Sequence, residues 1–325
     1  MIPPAHGMAR PQPGRNVDLP WRSVVALSGG VGGARLLRGL ARVLPEGALT
    51  AIVNTGDDFE HWGLHVSPDV DTVMYSLAGL AHEERGWGLA AETFGVLEAM
   101  RRYGEDGWFA IGDLDLATHL ARTRGLARGE TLTAITARLS RALGVRTRVL
   151  PMSDELHRTM IETRDRGTLD FQTWFVRNRA EPAIERIWFE GVARATTAVL
   201  EAIASAEIVI IGPSNPYVSI DPILSLPGAR DALFERPVVA VSPIVGGRAV
   251  KGPLAAMIPA IAGLEPSAAA VAAHYPGLRG IVVENGDSVY GIPFVATNTV
   301  MKNAADSESL ARRVLDFAKS VIATD

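Results

Sequence analysis

Short apolar runs, each ending in glycine or a small polar residue, recur along the chain. They read VVALSGG (24–30), TAIVNTGDD (50–58), WFAIGDLD (108–115) and TRVLPMSD (147–154), then EIVIIGPSNP (207–216), PVVAVSPIVGG (237–247) and GIVVENGD (280–287). Continuous runs rich in Val and Ile are the pattern of strands buried on both faces. The segments between them carry a helical period: Leu36, Leu37, Leu40, Val43 and Leu44 share one face, and Leu132, Ile135, Leu139 and Leu143 another. Buried strands alternating with helices predict an α/β fold, a doubly wound, mostly parallel, Rossmann-like sheet whose polar strand ends share one rim. The pattern breaks from Met160 to Gly191, where apolar and polar residues alternate around a turn at 165–167. That period suits half-exposed antiparallel strands. Together with the helical block before it, it predicts a smaller subdomain inserted at about 114–191 within an α/β domain spanning 23–325.

Composition narrows the classes. A net charge of −4 gives no footprint for nucleic acid or an anionic membrane, and no apolar run long enough to span a bilayer escapes charge or proline. Cysteine is absent, which excludes disulfides, thiolate metal sites and a cysteine nucleophile. Cytoplasm is the default setting, although a cysteine-free chain also suits an oxidising compartment. Residues 1–22, rich in proline and polar groups, read as a disordered extension rather than a signal peptide.

The chemistry concentrates in Val24–Asp71. A strand enters Ser28-Gly29-Gly30-Val31-Gly32-Gly33 and a helix leaves it, an arrangement that aims backbone N–H groups at a phosphate. The spacing fits neither G-x-G-x-x-G nor a P-loop, so a tight strand–helix turn is the other reading. A second strand delivers Asp57 and Asp58, and Asp69 and Asp71 follow a dozen residues later. Mg²⁺ takes hard oxygen ligands, commonly one or two carboxylates plus phosphate oxygens, which these pairs offer. Alternatively, Asp69 or Asp71 caps a helix over 72–80. His61 and His65, four apart with Gly63 between, are a poor zinc pair. Ser214 and Asn215 sit in a rigid Gly-Pro-Ser-Asn-Pro turn at a strand end, suited to ligand contact or to the turn alone. Lys251 follows another strand end, and Arg85 beside Trp87 suits a planar ring or an anion, or is simply exposed.

Taken together, these motifs resemble the 2-phospholactate transferase family of coenzyme F420 biosynthesis. The resemblance rests on SGGVGGAR (28–35), VNTGDD (53–58), SPDVDTVMY (67–75), RGWG (85–88), GDLDLATHL (112–120), LPMSDE (150–155), PSNPYVSIDPIL (213–224) and SPIVGGRAVKG (242–252). It implies transfer of a phospholactate or phosphoenolpyruvate moiety from a guanosine diphosphate ester to the 5′-hydroxyl of the deazaflavin Fo, with release of GMP. It implies Mg²⁺ on Asp57, with Asp69 or Asp71 completing the site, and Asp57 as the catalytic carboxylate beside Fo. Gly29, Gly30, Val31, Gly32 and Lys251 would hold the diphosphate, Ser214 and Asn215 the nucleotide, and Arg85 and Trp87 the Fo ring. A homodimer is implied as well. Asn298 stands where many relatives carry aspartate. The competing reading is a non-catalytic nucleotide-sugar-binding regulator resembling the gluconeogenesis factor family, which shares the glycine-rich start.

Overall fold

The structure, a computed structural model, describes residues 21–323. The chain opens with β1 (Val24–Ser28), α1 (Gly30–Val43) and β2 (Leu49–Val53), then a hairpin of β3 (Phe59–His61) and β4 (Leu64–Val66). Helices α2 (Pro68–Ala78), α3 (Gly95–Arg102), α4 (Asp113–Leu126) and α5 (Leu132–Ala142) lead to β5 (Arg148–Pro151). Next come β6 (Arg158–Thr163), β7 (Gly167–Asp170) and β8 (Ile184–Glu190), then α6 (Thr197–Ala204) and β9 (Ile208–Ile211). After α7 (Asp221–Leu224), α8 (Ala229–Phe234) and β10 (Val238–Val241) comes a short ribbon, β11 (Ile244–Val245) and β12 (Arg248–Ala249). The chain closes with α9 (Leu254–Ala262), α10 (Ala268–His274), β13 (Gly280–Glu284), β14 (Phe294–Thr297) and α11 (Ala304–Ile322).

Seven strands form one parallel sheet in the order β14-β13-β10-β9-β1-β2-β5. From β1 the chain winds first toward β2 and β5, then returns to place β9 on the other side. The winding direction therefore reverses between β1 and β9, and in open α/β sheets ligands bind outside the carboxyl ends at such a point. The loops leaving those two strands are Gly29–Gly30 and Gly212–Asn215. Alternate residues of β1 enter separate cores: Val25 and Leu27 join one that holds Val209, Ile211 and Trp174, while Val24 and Ala26 pack with α1, α2 and α11.

Several expectations change in detail. WFAIGDLD (108–115) is not a strand: β5 occupies the sheet edge beside β2, and Trp108 and Phe109 pack their rings against Phe59 of the hairpin instead. β14, an edge strand of half-exposed residues, was not signalled by a buried apolar run. The stretch 114–191 is not one insertion, because β5 lies within it and belongs to the main sheet; the antiparallel part is the sheet β7-β6-β8 alone. The helix after Ser67 begins at Pro68, so Asp69 and Asp71 lie inside its first turn and are not its cap. Residues 1–20 of the expected extension lie outside the described residues. Trp21 and Arg22 belong to the folded domain, Trp21 being buried and the Arg22 N–H donating to Glu207 at 2.8 Å. Among the described residues no helix is long and apolar enough to cross a membrane.

Helix α1 crosses α11 with Gly39 at the contact, where a Cβ would meet the Ser307 carbonyl. Glycine to alanine inside a helix ordinarily stabilises by about 1 kcal/mol. Here overpacking reverses the sign, and Gly39→Ala is expected to destabilise by about 1–3 kcal/mol in urea unfolding. A neutral or stabilising result would show that the two helices separate freely.

Candidate active site

A cleft of about 590 Å³ lies at the switch point. Its floor is built by three strand ends. Ser28 of β1 hands over to Gly29, whose N–H donates to Ser214 Oγ at 3.2 Å across the gap to the loop after β9. Glycine is required here by contact: a Cβ on Gly29 would stand 2.6 Å from both Asp69 Oδ2 and Ser219 Cβ. Gly30, at φ +67°, opens α1. Its N–H donates to Asp69 Oδ1 at 2.6 Å, so a carboxylate from α2 already sits on the positive end of α1. Val31 and Gly32, in the same first turn, line the cleft.

Asn54 joins the carboxylates. Fully buried after β2, it donates from Nδ2 to Asp57 Oδ1 (3.1 Å), Asp69 Oδ2 (2.9 Å) and the Val218 carbonyl (3.2 Å), while its Oδ1 accepts the Gly56 N–H at 2.8 Å. Gln172, beyond β7, donates to the other oxygen of Asp57 at 2.9 Å. Asp57 and Asp69 are each only 6% exposed, and no cationic side chain pairs with either among the described residues. Burial, then the charges of Asp69 and Asp58, push the Asp57 carboxyl well above its ordinary range. Burial likewise raises Asp69 to about 6, against the hydrogen bonds from Asn54 and Gly30. Two acidic groups so placed, offering hard oxygen donors and lacking a counter-charge, fit a divalent cation.

Asp71 belongs to a second group. Both of its oxygens are held by the buried guanidinium of Arg122 from α4, one of them at 3.0 Å. His119 lies 3.6 Å from Asp71 and 3.5 Å from Asp115, and Asp115 accepts the Tyr75 hydroxyl at 2.6 Å. Donor atoms of Asp71, Asp115 and His119 all lie within 4.8 Å of one another, close enough to hold a metal ion. Arg122, however, already supplies positive charge there, which Asp57 and Asp69 lack. Asp58 is also occupied, by His65 at 3.0 Å and Ser67 at 2.7 Å. His61 instead packs among the Trp62, Trp108 and Phe59 rings, tilted or edge-on to each, so the two histidines have different surroundings and lie on a hairpin rather than a helix.

The remaining expected residues also line the cleft. Asn215 accepts the Tyr217 N–H at 3.0 Å, which fixes its loop. Lys251 donates to the Arg85 carbonyl at 2.8 Å, and burial followed by the Arg35 charge lowers its ammonium pKa. The Arg85 guanidinium lies over Trp87 at 5.2 Å and Phe94 at 5.5 Å. Asn298 is exposed and accepts the Val300 N–H at 3.2 Å; its neighbours Thr299 and Met301, not Asn298 itself, reach the cleft. Sequence reasoning gave no role to Asn54, Gln172, Arg35, Tyr75, Asp115 or His119, all of which are set around the cleft. Only the Asp115–His119 spacing, four apart on a helix, carried a local signal.

Comparisons with known proteins give the family and the fold. The family described as 2-phospho-L-lactate transferase CofD matches residues 24–313. The chain is 42% identical to a phosphoenolpyruvate transferase of Streptomyces griseus, over 92% of this chain and 99% of that one. Identity to a 2-phospho-L-lactate transferase of Methanosarcina mazei is 41%, over 80% of this chain and 86% of that one. A solved UPF0052 protein of Bacillus halodurans has a TM-score of 0.60 at 19% identity, covering 90% of this chain and 99% of that chain, a likeness of fold alone.

Two measurements probe the buried charges. Removing Arg122 strands Asp71, so Arg122→Met is expected to cost about 3–5 kcal/mol in urea unfolding, with Asp71→Asn in the same chain restoring part of it. A single variant as stable as wild type would make the pair energetically idle. Asp69 gives a pH test. Its folded carboxyl binds a proton more tightly than the ordinary value of 3.8, so its stabilising contribution is fully present below that value and is lost as pH rises through about 6. In metal-free buffer, Asp69→Asn should therefore gain on wild type between about pH 4 and about pH 7. A pH-independent difference would show that Asp69 titrates normally.

Proposed function

The chain belongs to the 2-phospho-L-lactate transferase CofD family, and from that premise we propose the reaction it performs. A phospholactate or phosphoenolpyruvate moiety passes from a guanosine diphosphate ester to the 5′-hydroxyl of the deazaflavin Fo. The hydroxyl oxygen bonds to the phosphorus bearing the acid, the bond from that phosphorus to the bridging oxygen breaks, and GMP leaves with the electron pair. The expected setting is the cytoplasm, and the expected assembly a homodimer.

The observation that supports this reading best is a helix N-terminus and two buried carboxylates without a cationic side-chain partner at one switch point. Phosphoryl transfer asks for positioning and charge neutralisation more than for covalent chemistry. Asp57 and Asp69 are the residues we assign to Mg²⁺; when bound, the ion supplies the charge that offsets the diphosphate. Asp71, held by Arg122, is assigned to fixing α4 against α2 rather than to the ion. Asp57, as a carboxylate, takes the proton of the attacking hydroxyl. Val31, Gly32 and Lys251 hold the diphosphate, while Gly29 and Gly30, expected to join them, have their N–H groups on Ser214 and Asp69 and shape the turn instead; Ser214 and Asn215 contact the nucleotide. Arg85 and Trp87 face the Fo ring, across a cleft whose apolar lining includes Trp108, Phe109, Phe171 and Phe175.

Mass spectrometry of Fo, Mg²⁺ and an equal mixture of the two guanylyl donors tests the proposal. One product mass with matching GMP is expected, and it also names the preferred acid. Asp57→Asn is expected to lower kcat by about 10²–10⁴-fold while leaving the fold intact. Unchanged Fo in a folded protein overturns the reading, and tight nucleotide-sugar binding without turnover would favour the regulator instead.

A further inference from the structure

Gln172 approaches Asp57 from a part of the chain that carries none of the glycine or carboxylate motifs. Its Nε2 donates to Asp57 Oδ2 at 2.9 Å, from 115 residues away, and the side chain is buried. The backbone that presents it is locked on both sides. Asp170 accepts the Thr173 N–H at 2.9 Å and the Thr173 hydroxyl at 2.6 Å, and the buried Trp174 indole donates to the Pro182 carbonyl at 2.9 Å. The same antiparallel sheet grips the loop before Asp57 a second time, through the Thr159 N–H on the Gly56 carbonyl at 2.6 Å.

Both Asp57 oxygens thus accept a neutral amide, Asn54 on one and Gln172 on the other. The choice of donor matters physically. A lysine or arginine at this place would cancel the carboxylate charge, whereas an amide fixes the orientation and leaves the charge for something else. Resting on the transferase reading, we infer that Gln172 is a positioning residue for Asp57, holding Oδ2 so that its remaining lone pairs face the cleft, toward cation and attacking hydroxyl. The antiparallel subdomain then takes part in the reaction through the Gln172 contact.

Two substitutions separate orientation from packing. Gln172→Met keeps the length and volume of the side chain and removes the donor. It is expected to lower kcat about 10–100-fold and to weaken binding of Mn²⁺, titrated without substrates, by a similar factor. The donor KM and the melting temperature should stay near wild type. Gln172→Lys keeps a donor but adds charge, and is expected to abolish Mn²⁺ binding at Asp57. Wild-type kcat and Mn²⁺ affinity in Gln172→Met would overturn the inference, as would parallel losses of donor KM and melting temperature, the mark of a packing role. If Gln172→Met does not fold, Gln172→Asn, one methylene short of Asp57, takes its place. Wild-type protein that binds Mn²⁺ but yields no product would refute the transferase reading, while the Mn²⁺ comparison would still judge Gln172.

Discussion

Asn54 holds two buried acidic side chains against each other, and most of the site follows from that. An amide nitrogen shared between Asp57 and Asp69 lends each a hydrogen bond but no charge. Leaving such groups ionised away from water is costly unless something positive arrives. The protein accepts that cost at the one place where the sheet reverses its winding, and much of its local architecture keeps the pair in position. β2 delivers Asn54 and Asp57, α2 delivers Asp69, and the positive end of α1 faces it through Gly30.

The contrast with Asp71 sharpens the point. Two residues along α2 from Asp69, it is equally buried, yet a guanidinium holds both of its oxygens. One helical turn therefore presents an acid whose charge is already answered and another whose charge is not. The first fastens α4 to α2, and the second is left with only neutral donors. Two acids of one motif, two residues apart, thus stand in opposite electrostatic settings.

Much of the fold was legible because buried parallel strands announce themselves as short Val- and Ile-rich runs. The reading failed where that signature had another cause. Trp108–Ile111 is apolar because it packs beside the β3–β4 hairpin and lines the cleft, whereas β14 is a genuine strand without the signature because an edge is only half buried. In the site, the glycines and carboxylates were visible because their chemistry is written in residue type and spacing. Asn54 lies inside the VNTGDD motif, but an uncharged amide gives no sign in the sequence that it joins two acids. Gln172 could not be seen at all: no local period joins β7 to β2, and only the folded sheet brings them within hydrogen-bond distance.

The two grips of the antiparallel sheet on the 54–57 loop also limit how this chain can change length over evolutionary time. Segments added at the rim of an α/β sheet are ordinarily where insertions and deletions accumulate. Here a one-residue slip of β6 would turn the Thr159 N–H away from the Gly56 carbonyl, and one of β7 would withdraw Gln172 from Asp57. Length variation should therefore be confined to the turn at 165–167 and the loop at 179–182, which lie beyond both grips, while the strands themselves keep register with a carboxylate more than a hundred residues earlier.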